Sequence, residues 1–209
     1  MSEQLQSDFD KLVKTSKFSN EEIQFKKNFL NNFIKKGFPN IKQEDWKFLD
    51  ISQIIKKNIS DLSYFNDYSQ SNKIDPSIFV DGLEHNKIIF INGRIEKIDF
   101  NFEDQNKIEI IDETKKDISF EYENSLIDLN SAFIDKIFKI LIKKNYSLKK
   151  PLIIYHLTND KIKSTNINLR LDFELGENSC LKLIDYFANT AAKNFINIFI
   201  TSIYKKTQS

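Results

Sequence analysis

Cysteine is nearly absent from this chain of 209 residues, where Cys180 stands alone. A single thiol cannot close an intramolecular disulfide, which fits a reducing compartment. Glycine is as sparse, and Gly37, Gly82, Gly93 and Gly176 are isolated from one another. A P-loop needs a glycine-rich cradle ending in Lys-Ser/Thr, so that class of ATPase is excluded. Histidine occurs twice, at His85 and His156, each far in sequence from the other and from Cys180. Metal or cluster ligation needs several convergent ligands, and this inventory supplies none. No Gly-x-Ser-x-Gly elbow accompanies any Ser–His–Asp combination, so no catalytic constellation emerges. Only Arg94 and Arg170 are arginines, and 31 basic residues nearly balance 30 acidic ones. That balance argues against a nucleic-acid binder, which needs a basic excess and Arg forks. Long apolar runs are missing too. The longest, near Phe195 to Tyr204, contains Asn197 and Thr201 and falls short of the ~20 residues that span a bilayer. Met1 to Lys11 is polar and acidic, without the pattern of a signal peptide. A soluble cytoplasmic protein that binds no membrane is expected.

Phe, Ile, Asn and Lys are abundant instead, the bias that AT-rich coding produces. Residues 1–18 are weakly patterned and predict a loose helix or frayed tail. Ser19-Asn20-Glu21-Glu22 spells a capping box. Behind it Phe25, Phe29, Leu30, Phe33 and Ile34 share one face at helical spacing, predicting a helix over 20–36 closed by a left-handed Gly37, with Pro39 barring continuation. Glu44-Asp45-Trp46-Lys47 reads as a surface turn whose Trp, beside Phe48 and Leu49, anchors the next element, rather than as a catalytic carboxylate pair. A short helix follows with Ile51, Ile54, Ile55 and Ile59, then a polar linker up to Pro76. Ile88–Ile91, Asn92-Gly93 and Arg94–Phe100 predict a hairpin with a type I′ turn. Arg94 reads as a solvated or ion-paired strand residue more readily than as an anion site. Residues 107–111 predict a strand, 112–123 an acidic loop, and Asn124 or Ser125 caps a helix carrying Leu126, Leu129 and Phe133.

The second half carries an internal repeat. Ile140, Ile142, Asn145 and Leu148 align with Phe173, Leu175, Asn178 and Leu181 at one constant offset. Each copy is an alternating strand, a polar turn and a second alternating strand. Such a unit cannot bury its own apolar face and reads as one rung of a stacked solenoid. Pro151 is tolerated where a strand begins. Gly176-Glu177-Asn178 reads as a rung turn, Cys180 as a buried small apolar residue, and His156 as a satisfied structural histidine. The expected division is 1–86, a helical module with linker, and 87–209, the hairpin, a leading helix and the start of the core.

Four of these motifs occur together in an order that resembles the SufB/SufD family, scaffold subunits of the SUF iron–sulfur cluster assembly machine. They are Gly37-Phe38-Pro39 followed by Glu44-Asp45-Trp46-Lys47-Phe48; the Asn92-Gly93-Arg94 hairpin; Asn124-Ser125-Leu126 through Leu129-Asn130-Ser131-Ala132-Phe133; and Leu148-Lys149-Lys150-Pro151-Leu152. The helical module and hairpin spacing are closer to the SufD branch than to SufB. The resemblance, over about residues 20–187, implies an α+β chain, mainly β in its second half: a helical module and hairpin followed by the first rungs of a right-handed parallel β-helix. It also implies a non-catalytic scaffold working with a SufB-like paralogue and a SufC-like ATPase. No cofactor is assigned to this chain, while an iron–sulfur cluster and reduced flavin belong to the family's complex.

The family continues through further rungs, whereas here the alternation decays after Phe195–Ile200 without a cap. A truncated product is therefore expected. One alternative is an inactive fragment or stand-alone β-solenoid interaction module without a cluster role. A solenoid enzyme, such as an acyltransferase or a polysaccharide-active protein, would need hexapeptide repeats or carboxylates on successive rungs, and neither is present.

Overall fold

A computed structural model describes residues 2–59, 61–65, 76–113, 124–189 and 195–205. The chain opens with α1 (Ser2–Thr15), which buries Leu5, Phe9 and Leu12. Those side chains recur at i, i+4 and i+7 and fall on one stripe. Of the two expectations for this segment, the helix is present and the frayed tail is not, and the helix is not loose: three large side chains, at about 1.5–3 kcal/mol of burial each, hold it in the core. Asp8 is buried on the same helix and accepts from Gln4 Nε2 (2.9 Å), Lys11 Nζ (2.8 Å) and the Tyr64 backbone N–H (2.9 Å). Burial alone would push its carboxyl up, but these donors outweigh it and hold the pKa below the usual value.

The predicted capping box is present at the start of α2 (Asn20–Lys36): Ser19 accepts from the Glu22 N–H and the Glu22 side chain accepts from the Ser19 N–H. Leu30 and Phe33 are buried, as the apolar face requires. Gly37 has φ 70° and ψ −171°, so the helix ends on positive φ but not in the αL well. A 3₁₀ turn at Glu44–Trp46 leads to α3 (Ile51–Asn58). Here the anchoring expectation needs correction. Trp46 is half-buried, but Phe48 is 90% exposed and Leu49 45%, so the residues beside the Trp bury little area, whereas Ile51 and Ile55 of α3 pack against the helical core. The polar linker before Pro76 lies mostly outside the described residues.

The remaining strands form two four-stranded mixed sheets. The hairpin is as predicted: β1 (Asn86–Ile91) and β2 (Arg94–Asp99) pair antiparallel, with Asn92 at φ 53° and Gly93 at φ 82°. A Cβ on Gly93 would lie 2.7 Å from Ile167 Cγ2, so the turn also packs too closely for any side chain. β3 (Ile108–Glu113) runs antiparallel to β4 (Ile137–Ile142). Between them α4 (Ser125–Phe133) starts on an Asn124 cap that accepts from the Leu126 N–H. The chain then alternates between sheets: β5 (Leu152–Thr158) joins β1, β6 (Asn166–Leu175) joins β4, β7 (Leu183–Asn189) joins β5, and β8 (Ile196–Lys205) joins β6. All four of these pairings are parallel. The sheet orders are β2-β1-β5-β7 and β3-β4-β6-β8, and neither sheet closes.

The repeat read from sequence is the observed register. Ile140 faces Phe173 and Ile142 faces Leu175, while the Asn178 amide donates to Asn145 Oδ1 at 3.1 Å. Both asparagines hold the left-handed conformation, φ 57° and 54°, which Asn tolerates better than most residues. Gly176 is needed for a different reason, since a Cβ there would sit 2.4 Å from the Lys144 nitrogen. β8 is longer than expected. The apolar alternation fades after Ile200, yet pairing with β6 continues to Lys205 because the neighbouring backbone, not the side chains, supplies the ladder.

Ile88, Phe90, Leu152 and Ile154 from one sheet meet Ile140, Leu169, Leu171 and Phe173 from the other in a shared core. A second cluster joins α1, α2 and α4 to Leu62, Tyr64 and Ile198 of β8. Asn130 of α4 fixes that junction by donating to the carbonyls of Leu169 (3.1 Å) and Ile198 (2.6 Å). The α+β class, with strand concentrated in the second half, is what the sequence led us to expect.

Candidate functional site

Parallel registry stacks like positions into columns, and one column is aromatic. Phe90, His156 and Phe187 are aligned partners across β1, β5 and β7. His156 stacks on Phe90 at 5.7 Å and on Phe187 at 4.5 Å, and Phe199 of the opposite sheet closes to 4.7 Å. Offset aromatic contacts of this kind add about 0.5–1.5 kcal/mol beyond area burial. The column ends at Phe187, which is 57% exposed.

The same break recurs in other columns. Ile153 is fully buried on β5 whereas its partner Ile184 on β7 is 42% exposed; Phe173 is fully buried on β6 whereas Ile203 on β8 is 57% exposed. Side-chain chemistry is alike within each pair, so position makes the difference. β7 and β8 are edge strands, with no further strand beyond them among the described residues. An edge of this kind offers unpaired backbone donors and acceptors beside apolar side chains, the chemistry that receives another strand.

Of the residues singled out from sequence, His156 lies within β5, buried, with Nε2 3.0 Å from Asp185 Oδ1. Its Nδ1 is buried without a hydrogen-bond partner, so the histidine is only half satisfied. His85 is buried with Nδ1 2.5 Å from the Leu83 carbonyl and Nε2 2.7 Å from Tyr155 Oη. Cys180 corrects the expectation of burial: it is exposed. It falls in the turn before β7, in a single bridge to Ser147, where no later turn among the described residues covers it. Glu44 and Asp45 are exposed on the 3₁₀ turn, and Gly176–Asn178 form a turn after β6 that is hydrogen-bonded to the turn after β4. Among the described residues no group of three or more His, Cys, Asp or Glu side chains is placed to hold a metal ion. Nor is any helix among them long and apolar enough to cross a membrane.

Sequence reading missed two polar hubs. Lys26 of α2 is buried, donating to the carbonyls of Ser131 (3.4 Å) and Ile134 at the end of α4, with the Phe18 ring 4.8 Å away. Burial pushes its ammonium down to about 8 although Asp135 and Glu22 pull the other way. Nothing in a Lys-rich helix marks which lysine turns inward. Glu103, between β2 and β3, accepts from Tyr146 Oη (2.7 Å), Asn86 Nδ2 (2.7 Å) and the backbone N–H groups of Lys149 (3.0 Å) and Lys150 (3.1 Å). Burial raises its pKa, and the four donors together bring it below the ordinary glutamate value. No protein-family model matches the chain, and no curated protein matches it.

Proposed function

We propose that this chain is a non-catalytic scaffold subunit of the SufB/SufD kind, serving iron–sulfur cluster assembly through protein–protein pairing. The observation that carries the reading is the winding of the second half. Successive strands from β4 to β8 alternate between two sheets, and β6, β7 and β8 each pair parallel with the strand two before them. Its corner asparagines are stacked as well. Winding of this kind, preceded by a hairpin and a helix, supports reading the second half as the start of a parallel β-helix of the sort the resemblance implies. The exposed edges of β7 and β8 support a role in which backbone pairing, rather than chemistry at a pocket, is the work done. The cluster would be cargo of the assembled complex. Cys180, His85 and His156 lie in separate surroundings, and no step is assigned to them. ATP hydrolysis would be the task of a SufC-like partner.

Co-expression of the full chain with SufB-like and SufC-like proteins, followed by affinity capture, tests this. Recovery of the paralogue, lost when Phe187 and Ile203 are both replaced by Lys, is the expected result. Capture of neither partner by a folded chain would overturn the scaffold reading and favour a stand-alone interaction module.

A further inference from the structure

The helical cluster and the inter-sheet cluster do not meet everywhere, and at one end they leave a cavity of about 550 Å³. Phe133 and Tyr64 line it from the helical side; Ile95, Ile98, Ile110 and Phe138 line it from the strands. The Asn92–Arg94 turn also lines it, lying close to Ile167 at Gly93. Seams between packed units are where small-molecule sites concentrate, and such sites have volumes of roughly 300–1,000 Å³.

The charge pattern limits what fits. Arg94 and Lys136 face Asp112 and Asp135 around the cavity, two charges of each sign. Lys136 pairs with Asp112 at 2.6 Å, and Asp135 accepts from Ser16 Oγ at 3.1 Å. An ionic ligand of either sign would meet two like charges as well as two opposite ones, so the surroundings select neither sign. One polar requirement remains. Asn166, in the wall, donates to Asn168 Oδ1 at 3.1 Å while its own Oδ1 is buried without a donor. A ligand hydroxyl or N–H placed at this oxygen would supply the missing donor.

From this geometry we infer a binding site for a small, uncharged, mainly apolar molecule carrying one hydrogen-bond donor, of the alkylphenol or indole class. The site is independent of the scaffold reading, because it uses neither sheet edge.

Isothermal titration of the full chain with 4-propylphenol tests it, alongside propylbenzene, 4-propylbenzoate and 4-propylbenzylammonium. The phenol binds one to one, at least tenfold more tightly than either charged analogue and several-fold more tightly than the hydrocarbon. Ile98→Trp, at a half-exposed wall position that tolerates bulk, weakens the phenol at least fivefold without shifting the melting temperature. Asn166→Leu abolishes the preference for phenol over propylbenzene, and Asn166→Ser is the substitute should the leucine variant not fold. Phe48→Ser, at the exposed apolar group on the far turn, changes nothing. The proposal is overturned by tightest binding of a charged analogue or of L-tyrosine. Phenol binding that ignores Ile98→Trp, or no binding up to the solubility limit, overturns it equally.

Discussion

Replacing Lys26 by Met should remove a pH dependence of stability that runs opposite to intuition. The ammonium is buried against the carbonyl end of α4, and its pKa falls from the usual 10.5 to about 8 in the folded chain. Between those values the unfolded chain holds a proton that the folded chain has released. Stability therefore rises with pH across the window. At about 1.36 kcal/mol per unit the full effect is about 3 kcal/mol, of which about 2 kcal/mol accrues between pH 7.5 and 9.5. Buried Tyr64 works the other way: its hydroxyl pKa is raised by burial and by the charge of Asp8. Its contribution to stability is complete below pH ~10, the ordinary tyrosine value, and is lost only above it. Urea unfolding at pH 7.5, 8.5 and 9.5 thus isolates the lysine. The native chain should gain about 2 kcal/mol over that range while Lys26→Met stays level. A native chain whose stability is flat or falling, or a variant with the same slope, would refute the buried-ammonium account.

Gly176→Ala forces a methyl to within 2.4 Å of the Lys144 nitrogen and should cost about 1–3 kcal/mol in denaturant midpoint experiments. Phe9→Ala empties a core position that meets the Phe133 ring edge-on at 6.1 Å; a loss of about 3 kcal/mol or more, with faster hydrogen exchange through α1, is expected. Glu103→Gln leaves Tyr146 and the Lys149–Lys150 amides with a weaker acceptor. Because the folded pKa of Glu103 is depressed, its contribution is complete at neutral pH and disappears as pH falls through that lowered value. The gap in stability between native and variant chains should accordingly narrow in acid melts.

What could be read in advance depended on whether a feature is local. The capping box at Ser19, the Asn92-Gly93 turn and the Asn124 cap follow from neighbours in sequence, and each is legible there. The repeat was equally readable, because stacking requires a constant offset between equivalent residues. Failures came where a distant contact decides. Leu5, Phe9 and Leu12 look like sparse apolar residues in a charged tail until α2 and α4 enclose them. Phe48 and Cys180 have the composition of buried residues but lie where nothing among the described residues covers them. The cavity was invisible for the same reason, since its walls come from both halves of the chain.

The columns of matched residues also say which genetic changes this architecture absorbs. Removing one residue inside β5, just after Leu152, would put the rest of that strand's side chains on the wrong face of its sheet, exchanging Ile154 and His156 for neighbours from the opposite face. Removing a whole strand–turn–strand unit would leave each surviving strand with an equivalent neighbour. Length in this half of the chain should therefore vary among its descendants in whole turns, while single-codon indels are purged from the strands and collect in the corners.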